Sequence, residues 1–157
     1  MKNKLLTYLT LVCLSLVSTA TAQEKVRVEK DLLGEKSIPA DAYYGVQTAR
    51  AIENFPISGV LINHYPGFIE AWAIVKLAAA RANTDVGAMK KEKLAAIEKA
   101  CQAVLAGKYH DQFKVDWYQG GAGTSTNMNA NEVLANIALV YLPSLRMALV
   151  ILPNSVL

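Results

Sequence analysis

The chain has 157 residues, enough for one domain with a sizeable core, and its 16 basic against 13 acidic residues give a formal net charge of +3. That near balance leaves no basic stripe to neutralise phosphates, which argues against a nucleic-acid partner. Two histidines, His64 and His110, have no partner at metal-ligand spacing, so a structural metal is not expected.

Residues 1–22 have the order of a cleaved secretory signal peptide. Lys2 and Lys4 form a basic start, Leu5 to Val17 is mostly apolar, and Ala20 and Ala22 are spaced as A-x-A before Gln23. The apolar run is short for a membrane span, which takes about 20 residues. Cleavage after Ala22 and a periplasmic or secreted location are therefore expected, with an uncleaved anchor as the alternative. Removing this segment leaves 14 basic and 13 acidic residues and takes Cys13 away. Cys101 is then the only thiol, so no internal disulfide can form, and its apolar neighbours at helical spacing predict a buried packing role.

Gln23 to Pro39 reads as an extended arm or a small hairpin around Leu33-Gly34-Glu35. Pro39 reads as a first-turn proline opening a helix through Tyr43, Val46 and Ile52, which Asn54-Phe55-Pro56 ends. Pro66 to Val86 carries the strongest helix signal. Phe68, Ile69, Trp72, Val75, Ala79 and Ala82 mark one face and Ala71, Ile74 and Ala78 the opposite one, so burial on several sides is expected. Lys90 to Ala106 is an ordinary half-buried helix on a stripe of Leu94, Ile97, Cys101, Val104 and Leu105, with Gly107 suited to its C′ position. No strand pair is convincing, and the architecture is mainly α.

Residues 108–123 are irregular and lead into Gly120-Gly-Ala-Gly-Thr-Ser-Thr-Asn-Met-Asn-Ala-Asn-Glu-Val-Leu-Ala-Asn136. Glycines let an anion approach backbone N–H groups, and Thr124, Ser125 and Thr126 are all competent N-caps for a helix running to Leu139. Asn127, Asn129, Asn131 and Asn136 are costly within a helix unless they hydrogen-bond. A P-loop is ruled out, because Gly123 stands where a lysine would have to precede Thr124. The remaining residues, 140–157, form an almost wholly apolar tail that Pro143 should bend or break.

The stretch 120–136 closely resembles the first signature region of the aspartase/fumarase superfamily. Glu29-Lys-Asp-Leu-Leu-Gly34, Ile38-Pro-Ala-Asp-Ala-Tyr-Tyr-Gly-Val-Gln-Thr-Ala-Arg50 and Asn54-Phe-Pro-Ile-Ser58 resemble the family's N-terminal region in order and spacing. Ala122 and Ser125 follow the ammonia-lyase pattern, where class II fumarases usually carry serine and glutamine. The resemblance covers about residues 26–139 and implies the N-terminal helical domain of that fold, here 23–139, plus the start of the central helical bundle. It further implies a homotetramer with sites shared among three subunits. The implied reaction is elimination of ammonia from L-aspartate to give fumarate, without an organic cofactor. Thr124 matches the family's substrate-contacting threonine, with Ser125 and Asn127 as neighbours shaping the pocket; alternatively, all three only cap the helix. Gln47, Thr48 and Arg50 match a family motif with a structural or tetramer-contact role.

Family chains are several times longer, and the serine base and carboxylate-binding lysine belong to a third region with no counterpart here, so no catalytic residue is assigned. A frameshifted or prematurely ended frame, inactive alone, is the expectation. The alternatives are a non-catalytic fragment that joins or poisons an intact assembly, a fumarase-type hydro-lyase fragment, and a membrane-associated protein. The last is disfavoured, because Asn136, Pro143 and Arg146 interrupt Val133 to Leu152. Exposing Trp72, Ile74 and Val75 would forfeit about 1.5–3 kcal/mol each, out of the roughly 5–15 kcal/mol by which domains are stable, so an aggregation-prone or partly molten chain is expected.

Overall fold

The computed structural model describes residues 25–120 and 123–142; the segment 1–22, read from the sequence as a candidate signal peptide, and most of the apolar tail lie outside them. A hairpin of β1 (Val26–Asp31) and β2 (Gly34–Pro39) precedes four helices, α1 (Val46–Asn54), α2 (Phe68–Asp85), α3 (Lys91–Leu105) and α4 (Thr124–Tyr141). The fold is mainly α, as expected, and the arm is an antiparallel strand pair with Val26 opposite Pro39 and Asp31 opposite Gly34. Of the two readings of residues 23–39, the small hairpin around Leu33-Gly34-Glu35 is the one that forms, although the strand pattern alone was not convincing.

Strand β1 is inverted relative to an ordinary amphipathic strand. Val26 and Val28 are exposed, while Arg27, Glu29 and Asp31 face the protein. Each turned-in charge has bonding groups to satisfy there. The Arg27 guanidinium donates to the carbonyls of Pro39, Ala42 and Tyr44 at 3.0, 2.7 and 2.6 Å. Asp31 accepts from Arg50 at 2.9 Å and from the Gln47 amide at 2.7 Å, and the hydrogen bond from Arg50 holds its carboxyl below the usual range. Gln47 and Arg50 are thus seen in structural contacts.

Pro39 does not open a helix. It ends β2, and Arg27 gathers the carbonyls that a helix over 39–45 would have turned inward, so α1 starts only at Val46. Its end at Asn54, before Phe55-Pro56, follows the sequence reading.

Helix α3 packs between α2 and α4, and α1 lies on α4. Ala96, Ile97, Ala100, Cys101 and Val104 of α3 join Ala130, Val133, Leu134 and Ile137 of α4 in one core. Cys101 is buried there as a free thiol, and burial pushes it up to about 11. The α3 helix closes as expected: Gly107, at φ +83°, donates to Val104 and Lys108 donates to Ala103, the paired bonds of a Schellman cap.

Helix α2 buries one face rather than several. That face is Ile69, Ala73, Lys76 and Ala80, which leaves Ile74 and Val75 more than half exposed and Trp72 half-buried. Alanines supply half of this buried face and allow α2 to approach α3, while Ile74 and Val75 point away from it.

Candidate functional site

The segment entering the glycine turn is anchored before the turn begins. The Asp116 carboxylate, almost fully buried, accepts from Ser58 N at 2.8 Å, Ser58 Oγ at 2.7 Å, Gly59 N at 2.8 Å and Tyr118 N at 2.8 Å. Burial pushes this carboxyl up, but the Ser58 hydroxyl and the three backbone N–H groups outweigh that and bring it to about 2. Trp117 donates its N–H to Val60, stacks on Tyr65 at 3.8 Å between ring centroids, and meets Phe68 edge-on at 5.1 Å. Gly120 lies against the Phe55 ring so closely that an added Cβ would sit 2.6 Å from it. The Asn54-to-Ser58 motif and the glycine turn, more than 60 residues apart in sequence, are therefore parts of one support.

Gly123 is the N-cap of α4, in the left-handed region at φ +74°, and no side chain among the described residues caps the helix. This corrects the expectation that Thr124, Ser125 or Thr126 is the N-cap. All three lie within the helix, because only glycine takes a left-handed φ at little cost and the chain reverses at that residue. Thr124 is exposed, Ser125 and Asn127 are half-buried, and Thr126 is buried.

An open cleft of about 480 Å³ lies at this helix end, lined by Phe68, Trp72, Gly123, Thr124, Thr126 and Asn127. Two of the three candidate residues, Thr124 and Asn127, line it; Ser125 does not. Its aromatic side comes from the first turns of α2, where Phe68 and Trp72 meet edge-on at 6.5 Å. The lining includes no acidic side chain, and it faces the positive pole of an eighteen-residue helix. A helix pole of this kind favours negative charge, and the two aromatic rings offer an apolar wall.

The later asparagines mostly hold the frame. Asn129 donates to Gln112 O at 3.1 Å and Asn136 to Tyr43 O at 2.8 Å, while Asn131 reaches only the Met128 sulfur, at 3.9 Å.

Two residues, one beside the cleft and one at the start of α1, escaped the sequence reading. Lys76, only 7% exposed, donates to Asn127 Oδ1 at 2.5 Å and stands 5.5 Å over the Trp72 ring. Burial lowers its ammonium below the ordinary lysine range. A single lysine in an alanine-rich helix whose other charges are Glu70, Arg81 and Asp85 was the available signal. Glu132 accepts from Gly45 N at 2.8 Å, Gln47 N at 2.8 Å, Thr48 N at 3.0 Å and Thr48 Oγ1 at 2.6 Å. No spacing in the sequence marks that pairing, since its partners lie more than 80 residues away.

A family model described as Lyase matches residues 34–149. An aspartate ammonia-lyase of Pseudomonas aeruginosa is 60% identical over 113 residues, 72% of this chain and 24% of that one. A class II fumarate hydratase of Halobacterium salinarum is 55% identical over 115 residues, 73% of this chain and 24% of that one. The structure of a fumarate lyase:delta crystallin from Brucella melitensis, bound to cobalt, superposes with a TM-score of 0.74 at 53% identity, covering 76% of this chain and 26% of that one. The chain thus spans about a quarter of the length of the curated relatives it matches.

Proposed function

The chain belongs to the lyase family of the aspartate ammonia-lyases and class II fumarases, matching their N-terminal portion, and from that premise we propose that its cleft holds one carboxylate of L-aspartate or fumarate. The observation that carries this is the uncapped pole of α4 opening on a cleft with Thr124 at its edge and no acid in its lining.

In the elimination a proton leaves the carbon beside the β-carboxylate, ammonia leaves the adjacent carbon, and fumarate remains. Negative charge grows on that carboxylate as the proton departs, so donors aimed at it bind the intermediate more tightly than the substrate. The Thr124 hydroxyl, the Asn127 amide and the first N–H groups of α4 are donors of this kind. No lining side chain is a base for that proton. The base is then expected from outside this lining, and we infer that the described residues by themselves bind the dicarboxylate without turning it over.

The exposed Ile74 and Val75 on α2 support assembly with other lyase helices, in a homotetramer of this chain or as a non-catalytic partner in the tetramer of an intact homologue. On the pattern of residues 1–22 we place the mature chain, starting at Gln23, in the periplasm or outside the cell; the intact mass of exported protein tests that. For the site, titration of the ¹⁵N-labelled chain with fumarate is expected to shift the amide signals of Thr124 to Asn127 saturably. L-aspartate should yield no fumarate absorbance. Unmoved signals at those residues, or a steady release of fumarate, would overturn the reading.

A further inference from the structure

We propose that Lys76 is a positioning residue for the cleft: by holding the Asn127 carbonyl it turns the Asn127 NH₂ toward the ligand, and its ammonium makes the cleft select a carboxylate over a neutral group of the same shape. The inference rests on the carboxylate reading of the cleft above.

Three observations lead to it. Lys76 Nζ donates to Asn127 Oδ1 at 2.5 Å, so the acceptor end of that amide is occupied and the NH₂ end is left to the cleft that Asn127 lines. No ion pair among the described residues includes Lys76, although it is only 7% exposed. Buried ammonium groups are ordinarily paired with an acid, so this one leaves a positive charge uncompensated behind a wall of the cleft. Its Nζ stands 5.5 Å from the ring centroid of Trp72, which also lines the cleft. Lysine, amide and aromatic ring thus form one layer, with the charge behind and the donors in front.

An unheld amide could present either end to the cleft, and its oxygen would repel a carboxylate. Held by the lysine, it presents only donors. Fumarate and fumaramide share a shape and differ in charge, so their relative affinity reads the effect directly.

The test is calorimetric titration of the full chain and its K76M, K76R, N127A and T124V variants with fumarate and with fumaramide, each variant checked by thermal melting. K76M is expected to weaken fumarate about tenfold while leaving fumaramide nearly unchanged, and K76R to keep most of the preference. N127A should lose a similar part of the fumarate affinity, which carries the test if K76M does not fold. If wild type binds fumarate and T124V weakens it, but neither K76M nor N127A changes the preference, the role of Lys76 is overturned and the carboxylate reading stands. If wild type binds neither compound, both fall together.

Discussion

At the start of α1, two carboxylates from distant segments close over the helix pole; at the start of α4, no side chain does. Glu132 takes the N–H groups of Gly45, Gln47 and Thr48 together with the Thr48 hydroxyl, and Glu29 takes Val46 N at 3.0 Å. The orphan donors that begin any helix are thereby met by the protein's own acids. At α4 the pole opens instead on the cleft holding Thr124 and Asn127. The closed pole shows within one molecule what a helix start does with a carboxylate, and the open one is the place left for a carboxylate from outside.

The two glycines before these helices are needed for opposite reasons. Gly45 has an ordinary extended backbone, but an added Cβ would meet Glu132 Cδ at 2.8 Å and Glu29 Oε2 at 2.9 Å. Gly123 has nothing within 4 Å of such a Cβ, but its φ of +74° disfavours any side chain. Space decides one, backbone conformation the other.

The largest effect should come from breaking the closed pole. E132A removes an acceptor of four hydrogen bonds and strands the N–H groups beneath it, so a loss of about 3–5 kcal/mol in urea unfolding is expected. A loss under about 1 kcal/mol would mean that water serves α1 equally well. G45A should cost about 1–3 kcal/mol by displacing both acids, and G45N at least as much. At the open pole G123A should cost about 1–2 kcal/mol through backbone strain alone, and there asparagine should be cheaper than alanine because it tolerates the left-handed region. Opposite alanine-to-asparagine orders at the two sites would sharpen the contrast, and equal orders would break it.

Smaller effects concern what surrounds the open pole. Asp116 has its folded value lowered to about 2 from an ordinary 3.8, so it contributes stability above about pH 4, and that contribution is lost as pH falls toward 2. D116N should flatten this acid limb in melting curves taken across that range. V75E, on the exposed face of α2, should change stability by no more than about 0.5 kcal/mol while reducing self-association in size-exclusion chromatography.

Much of the architecture was written in local patterns. The helices around 68–85, 91–105 and 124–141 follow from apolar periodicity, and Gly107 ends α3 as its position suggested. The reading failed where a distant group outbid a local preference. Pro39 invited a helix that Arg27 forbids by collecting carbonyls, and three hydroxyl residues invited an N-cap role that Gly123 holds through its backbone. Counting apolar residues on α2 put Val75 on a buried face and passed over Lys76; alanine contacts and the Asn127 carbonyl reversed both.

The sequence by itself determined that long helices form, that a glycine turn precedes one of them, and that Thr124 and Asn127 stand at its start, because these depend on spacing and conformational preference within a few residues. Only the tertiary structure decided which helix pole is closed by Glu132 and which stays open, and that a buried lysine stands behind the open one. Those outcomes depend on charges and donors brought together from segments 50 to 90 residues apart, where their energy is set by burial and partner geometry and not by the order of neighbours along the chain.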